Sequence, residues 1–280
     1  MASLSGKTYQ EELFSMVEKP NFDNKRSEIA TFYSGKKMFI TGGLGFLGRL
    51  LMEKLLRHKN GLFANKSKET ARSEYLIQII FKRLKKQQKD VEKKIILIEG
   101  DMNQLNLGLS EEDRKRIQDT NLIFRSAAFV RFMDNIRFIV NTNIRGTRDL
   151  LLLAQEMKSL EATRPSIITS TEKEPFAGWI NNLYGLTGIA FGSAKGVLRT
   201  LNCNDRLICD IIPADYVVNN IIAAAWEVAQ KRSILKSISP SNGKNNDLPA
   251  DKEIPIYNVV SSVQRPINWA TLENNLKTSV

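Results

Sequence analysis

The sequence predicts an α/β fold, a parallel sheet with helices on both faces. Two observations carry this. Short apolar runs at 38–40, 95–98 and 122–124 have the length and composition of buried strands, and amphipathic helical runs alternate with them. A glycine turn joins the first strand to the first helix, with Gly42, Gly45 and Gly48 spaced so that strand, tight turn and helix follow without a break.

The elements follow in order. Residues 1–30 are polar, with a short helical run near 10–18 and a break at Pro20, and read as a leader. Strand one leads into Thr41, Gly42, Gly43, Leu44 and Gly45, and the helix opens at Phe46, Leu47 and Gly48. Gly42 suits the turn's unusual dihedrals, Gly45 leaves room for a pyrophosphate, and Gly48 lets the helix sit against the sheet. Free N–H groups and the positive helix end then face phosphate. The alternative is a packing turn with no ligand. Strand two should come next, but 61–64 is its only candidate, short and poorly bounded, so strand two reads as missing or replaced. Apolar residues at 75, 76, 79, 80 and 84 mark a basic helix to about Lys89.

Strand 95–98 ends at Gly100 and Asp101. Asp101 is placed either to accept from an adenine amino group or to cap its own turn. Ser110 and Asp113 frame a capping box. Strand 122–124 runs into Ser126, Ala127 and Ala128, small enough for a cofactor to pass. The strongest helix opens at 141–147 and ends near Leu160, and a strand at 164–169 follows after three residues. Glycines at 185, 188, 192 and 196 read as a loop. A strand at 211–213, a helix at 216–230, a polar linker at 237–251, a strand at 256–260 and a helix at 269–276 complete the chain.

Composition narrows the chemistry. Hydrophobic residues make up 42% and charged residues 25% of 280, ordinary for a globular protein. The net charge is +11, and residues 66–94 hold ten Lys/Arg against four Asp/Glu. That run suits a solvated helix face, with nucleic acid, anionic lipid or a polyphosphate as alternatives. No RNA-binding pattern interleaves with it, so no nucleic-acid partner is expected. One histidine, His58, argues against histidine-based hydrolysis, and no metal site is expected. Two cysteines without a secretory signal fit a reducing compartment. No apolar run is long enough to span a membrane.

A chain of motifs points further. In order they are Phe32-Tyr33, Thr41 to Gly48, Gly100-Asp101, 129–132, 141–147, 164–166, 173–181, 195–199 and 211–215. Over about residues 28–275 they resemble the alcohol-forming fatty acyl-CoA reductases, extended short-chain dehydrogenase/reductases abundant in insects and plants. The resemblance implies an NAD(P)-binding, Rossmann-like domain over 31–170, continued by a substrate-side extension over 171–280. It implies NADPH as cofactor, a long-chain acyl-CoA as substrate, a primary alcohol as product, and an endoplasmic reticulum or peroxisomal location. From the chain alone a cytosolic place is expected. Carried over by motif, Thr41, Gly42, Gly43, Gly45, Phe46, Leu47 and Gly48 hold the pyrophosphate. Asp101 sits at the adenine, and Ala127 and Ala128 line the cofactor path. Pro165 and Ser166 lie beneath the nicotinamide, and Asn143 supports the active-site helix.

The chain departs from that family at the chemistry. The family's proton donor is a Tyr-x-x-x-Lys helix, and the only such pair here, Tyr33 and Lys37, precedes strand one. No catalytic residue is therefore assigned. The missing strand and Tyr/Lys helix fall between about Leu160 and Arg164. A C-terminal male-sterility-type domain is expected to be absent, and the gaps left by strands two and five are expected to fray the sheet. The chain reads as a reductase by ancestry that is inactive as written, with a non-catalytic nucleotide- or acyl-CoA-binding protein as the alternative.

Overall fold

The computed structural model describes residues 27–57, 61–66, 79–126, 135–154, 162–238 and 255–278. The expected helix at 10–18, most of the 237–251 linker and the first residues of the basic helix lie outside that set.

Helix α1 (Glu28–Tyr33) precedes β1 (Lys37–Thr41), the glycine turn and α2 (Phe46–Arg57). Next come β2 (Gly61–Lys66), α3 (Ile79–Gln87), β3 (Ile95–Glu99), α4 (Glu111–Ile117) and β4 (Leu122–Arg125). These four strands form one parallel sheet in the order β3-β2-β1-β4. Strand two is therefore present, contrary to the sequence expectation. Its backbone pairs with β1 from Gly61 to Ala64 and with β3 from Leu62 to Lys66. The expectation failed because the apolar run at 62–64 is short and poorly bounded in sequence, while the strand is defined by the ladders on its two sides.

Period two divides β1 between two layers. Met38 and Ile40 face one way, into a core with α1, α2 and α3 that includes Tyr33, Leu51, Leu55, Phe81 and Leu84. Phe39 faces the other way, against Ile98, Met102, Leu107, Ile117 and Leu150. Helices thus cover both faces, as expected. Ser110 caps α4 by accepting from the Asp113 N–H at 3.1 Å.

A long helix follows β4. It runs as α5 (Ile136–Val140), a π turn (Asn141–Arg145) and α6 (Gly146–Leu153). It ends at Leu153, before the expected end near Leu160, which itself lies outside the described residues. The single strand expected at 164–169 is two strands, β5 (Ala162–Pro165) and β6 (Ile167–Thr169), separated at Ser166. Each enters its own two-stranded sheet, β6 with β7 (Ile211–Pro213) and β5 with β8 (Ile256–Val259). Helix α8 (Ala214–Ile238) follows β7 and α9 (Trp269–Thr278) follows β8. A further helix, α7 (Leu186–Ala194), stands where a glycine-rich loop was expected. Its glycines serve close approach: a Cβ at Gly188 would lie 2.4 Å from the Leu183 carbonyl oxygen.

Helix α8 joins the late part of the chain to the first. Ala214, Val218 and Ile222 enter the core that holds Leu50 and Leu51 of α2, with Phe176 and Trp179. Tyr33, 1% exposed, donates its hydroxyl proton to the Ile222 carbonyl at 2.8 Å. Among the described residues no helix is long and apolar enough to cross a membrane. Tyr33→Phe removes this bond while the carbonyl keeps its place in the α8 ladder, and we expect a loss of about 0.5–1.5 kcal/mol in urea unfolding. An unchanged midpoint would refute a structural role for this tyrosine.

Candidate dinucleotide site

The carboxyl ends of β1, β3 and β4 open on one edge of the sheet, the edge where parallel α/β folds place ligands. The glycine turn lies there. Gly42 has φ +67°, and its carbonyl accepts the Gly45 N–H at 2.9 Å. A Cβ on Gly48 would fall 2.2 Å from the Gly42 oxygen and 2.7 Å from the Gly43 Cα, so no other residue lets α2 close on the turn. Gly45 is exposed at the mouth. The Thr41 hydroxyl oxygen is fully buried with no hydrogen-bond partner, while the Thr41 carbonyl accepts the Ser126 N–H at 3.0 Å. The turn is a cradle that side chains would fill, which fits a pyrophosphate on backbone N–H groups.

Phe46 stacks on Trp179, centroids 5.2 Å apart and planes at 23°. Trp179 is held there by Thr171, whose buried hydroxyl donates to the Phe176 carbonyl and accepts the Trp179 N–H. Leu47 packs against the small cluster of Ile212, Val217 and Val259, which Ile168 also joins. That contact brings the β5–β6 junction beside the cradle. Pro165 ends β5, and the Ser166 N–H donates to the Val259 carbonyl at 3.1 Å, while the Ser166 hydroxyl oxygen is buried without a partner.

Asp101 is exposed beyond β3 and accepts the Asn103 N–H at 2.8 Å, so it caps its own turn. That turn is wound through three left-handed residues, Asn106, Leu107 and Gly108, at φ 52°, 63° and 58°. Asp149 of α6 supports it by accepting the Asn106 N–H at 3.1 Å. A hydrogen bond from Arg148 holds the Asp149 carboxyl below the usual range. Asn143 is half-buried in the π turn, where its carbonyl accepts from Arg125 at the end of β4, at 3.3 Å. Ala127 and Ala128 lie outside the described residues.

Sequence reasoning missed two features. One is Lys66, which closes β2 in register with Glu99; its signal was a basic residue eighteen positions after Gly48, hidden because strand two was not recognised. The other is a charged knot at the far end of α2. Glu174 accepts from Lys54 at 2.5 Å and from Arg57 at 3.2 Å. Asp215, at the start of α8, accepts the N–H groups of Glu172, Lys173 and Glu174. Burial pushes Glu174 up, but the Lys54 and Arg57 hydrogen bonds and charges outweigh it and bring the carboxyl down to about 2. Beside it, Glu53 is 1% exposed, and one of its carboxylate oxygens has no hydrogen-bond partner. Burial raises it to about 7; Arg57, Arg83 and Lys54 oppose the rise and Glu174 adds to it. Among the described residues no group of acidic, histidine or cysteine side chains is set to hold a metal ion.

The profile of the male sterility protein family, an NAD-binding family, matches residues 40–163 and 160–221. The chain belongs to this family. Its relatives include mouse fatty acyl-CoA reductase 1 and the human protein of the same name, each 30% identical over 334 positions, covering 88% of this chain and 61% of the relative. Human fatty acyl-CoA reductase 2 is 28% identical over 332 positions. The chain thus spans about 61% of the length of these relatives, and its resemblance to fatty acyl-CoA reductases holds at the level of the family. Alignment with the mouse protein occupies about 246 of the 280 residues (88%), so roughly 88 of its 334 positions are filled by the relative alone. Two solved structures share the fold. The terminal R domain of the myxalamid PKS-NRPS pathway has TM-score 0.63 and 16% identity, covering 88% of this chain and 70% of that one. The R domain of a nonribosomal peptide synthetase from Mycobacterium tuberculosis has TM-score 0.62 and 15% identity, covering 97% and 78%.

The knot gives a pH prediction. Glu53 has a folded pKa above its unfolded value, so its contribution is fully present below about 4.5 and is lost as pH rises through about 7. Glu174 acts oppositely, with its contribution lost as pH falls from about 4.5 through about 2. We expect urea stability of the wild type to decline from pH 5 to 7.5, and Glu53→Gln to flatten that decline by about 1–3 kcal/mol. Parallel pH profiles for the two proteins would exclude Glu53 as the cause.

Proposed function

We propose that the chain is the dinucleotide-binding portion of an alcohol-forming fatty acyl-CoA reductase that binds NADPH but, as it stands, does not complete the reduction of a long-chain acyl-CoA. The cradle beneath Gly48 is the observation that carries the reading. Thr41, Gly42, Gly43, Gly45, Phe46, Leu47 and Gly48 would hold the pyrophosphate on backbone N–H groups at the start of α2. Asp101 would meet the adenine, Ala127 and Ala128 would line the path, and Pro165 and Ser166 would lie beneath the nicotinamide. Asn143 would support the helix beside them. When bound, the dinucleotide supplies a hydride; the chain's residues orient it and exclude water.

Two features bear on the preference and on the chemistry. The residue closing β2 in this fold meets the ribose 2′ position, where an acid favours NAD and a base favours NADP. By backbone register β2 closes at Lys66, two positions beyond Ala64, and Lys66 would be the residue to take that place. The proton donor expected of such reductases has no counterpart: Tyr33 is spent on the Ile222 carbonyl, and Lys37 is paired with Asp119. Retained binding without turnover also accommodates the non-catalytic reading, in which a nucleotide or acyl-CoA is held but not transformed.

Fluorescence titration tests the cofactor. We expect saturable NADPH binding, roughly tenfold tighter than NADH, lost in Gly45→Asp and made indifferent between the two cofactors in Lys66→Glu. Equal affinity of the wild type for both cofactors would remove Lys66 from the site. Incubation with palmitoyl-CoA and NADPH should yield no alcohol above the Gly45→Asp control, and any that formed would overturn the inactive reading.

A further inference from the structure

A helix lying on a sheet buries one stripe and shows water a polar one. The helix from Ile136 to Leu153 keeps only the first half of that rule. Thr142, Gly146, Asp149 and Leu150 are buried against the layer below. On the outside, Ile136, Val140, Ile144, Leu151 and Leu152 are exposed, Ile136 by 77% and Ile144 by 66%. Residues 136, 140 and 144 follow one another at a spacing of four, the exposed Arg148 interrupts the line, and Leu151 and Leu152 resume the apolar surface beyond it.

Beside it lies an edge of the sheet. Among the described residues β4 pairs only with β1. The last residue of β4, Arg125, donates to the Asn143 carbonyl, which ties that edge strand to the helix. An edge strand leaves a row of backbone groups open to pairing with another strand. The family match breaks at 160–163, just beyond this helix, and the relatives carry roughly 88 positions that this chain does not fill.

We propose that the free edge of β4 and the apolar surface of the 136–153 helix are the seat of a strand–helix unit supplied by a separate polypeptide, equivalent to part of the roughly 88 positions that the relatives fill and this chain does not. A strand laid parallel to β4 needs a crossover of a dozen or more residues. Only residues 154–161 separate the helix from β5, so this chain has no length there to supply it. A second copy fits less well. A two-fold axis sets β4 antiparallel to its mate, against the grain of the sheet. The occupant is a β-branched strand followed by a helix with an apolar stripe, its acidic flank facing the exposed Arg137. The proposal rests on family membership and is independent of which cofactor or substrate the chain takes.

The test mixes the full 280-residue chain with a fluorescently labelled polypeptide spanning the mouse relative's residues at the break. Anisotropy and light scattering should show a saturable one-to-one complex. Ile144→Asp and Leu151→Asp lie on exposed positions, so both should keep the wild-type circular dichroism and urea midpoint while weakening the complex about tenfold or more. NADPH titration of the same samples reads the cofactor site separately. Absence of binding at high micromolar polypeptide overturns the proposal, as does binding that both variants leave unchanged. A homodimer that the variants dissociate, with the polypeptide unbound, assigns the surface to a second copy and overturns it equally.

Discussion

Helix α2 can approach β1 only because residue 48 has no Cβ. The Gly42 carbonyl lies where that atom would be, and much of the molecule is referred to the position this allows. At its amino end α2 presents backbone N–H groups at the open edge of the sheet. Along its length Leu50, Leu51, Leu55 and Leu56 fill the space above β1. At its carboxyl end Lys54 and Arg57 grip Glu174, and through Asp215 the loop there is bound to the start of α8. A shift of α2 by the width of a methyl group would disturb the cradle, the core and the knot together.

Charge around that helix is divided by distance from water. Glu174 remains ionised because two cations reach it, whereas burial outweighs the Arg57 guanidinium, 3.2 Å from one oxygen of Glu53, and pushes Glu53 toward neutrality. Two carboxylates within one network therefore take opposite protonation preferences. The knot stands roughly 12 Å along the helix from the glycine turn, so it acts on the cradle by fixing the helix that carries it.

The parts of the fold legible in the sequence were those whose signal is local. The glycine turn, the apolar strands β1, β3 and β4, and the Ser110 cap each announce themselves within a few residues. Strand β2 did not, because its identity lies in its neighbours: 61–66 becomes a strand by completing ladders to β1 and β3. Helix α7 was hidden for a related reason, since its glycines answer to the Leu183 carbonyl and to Leu198 rather than to helix propensity. For the site, the cradle was read from spacing alone. The Phe46–Trp179 stack and the Glu174 knot join residues more than a hundred positions apart, beyond the reach of any pattern in one sequence.

That stack has an optical consequence. Of three tryptophans, Trp179 alone lies against the first residue of the cradle helix, buried at 7% exposure for the residue, its ring at 23° to that of Phe46. Indole emission depends on the polarity and rigidity around the ring. The protein thus contains an intrinsic chromophore at the mouth of its glycine turn, and its colour reports the state of a site that otherwise consists almost wholly of spectroscopically silent backbone.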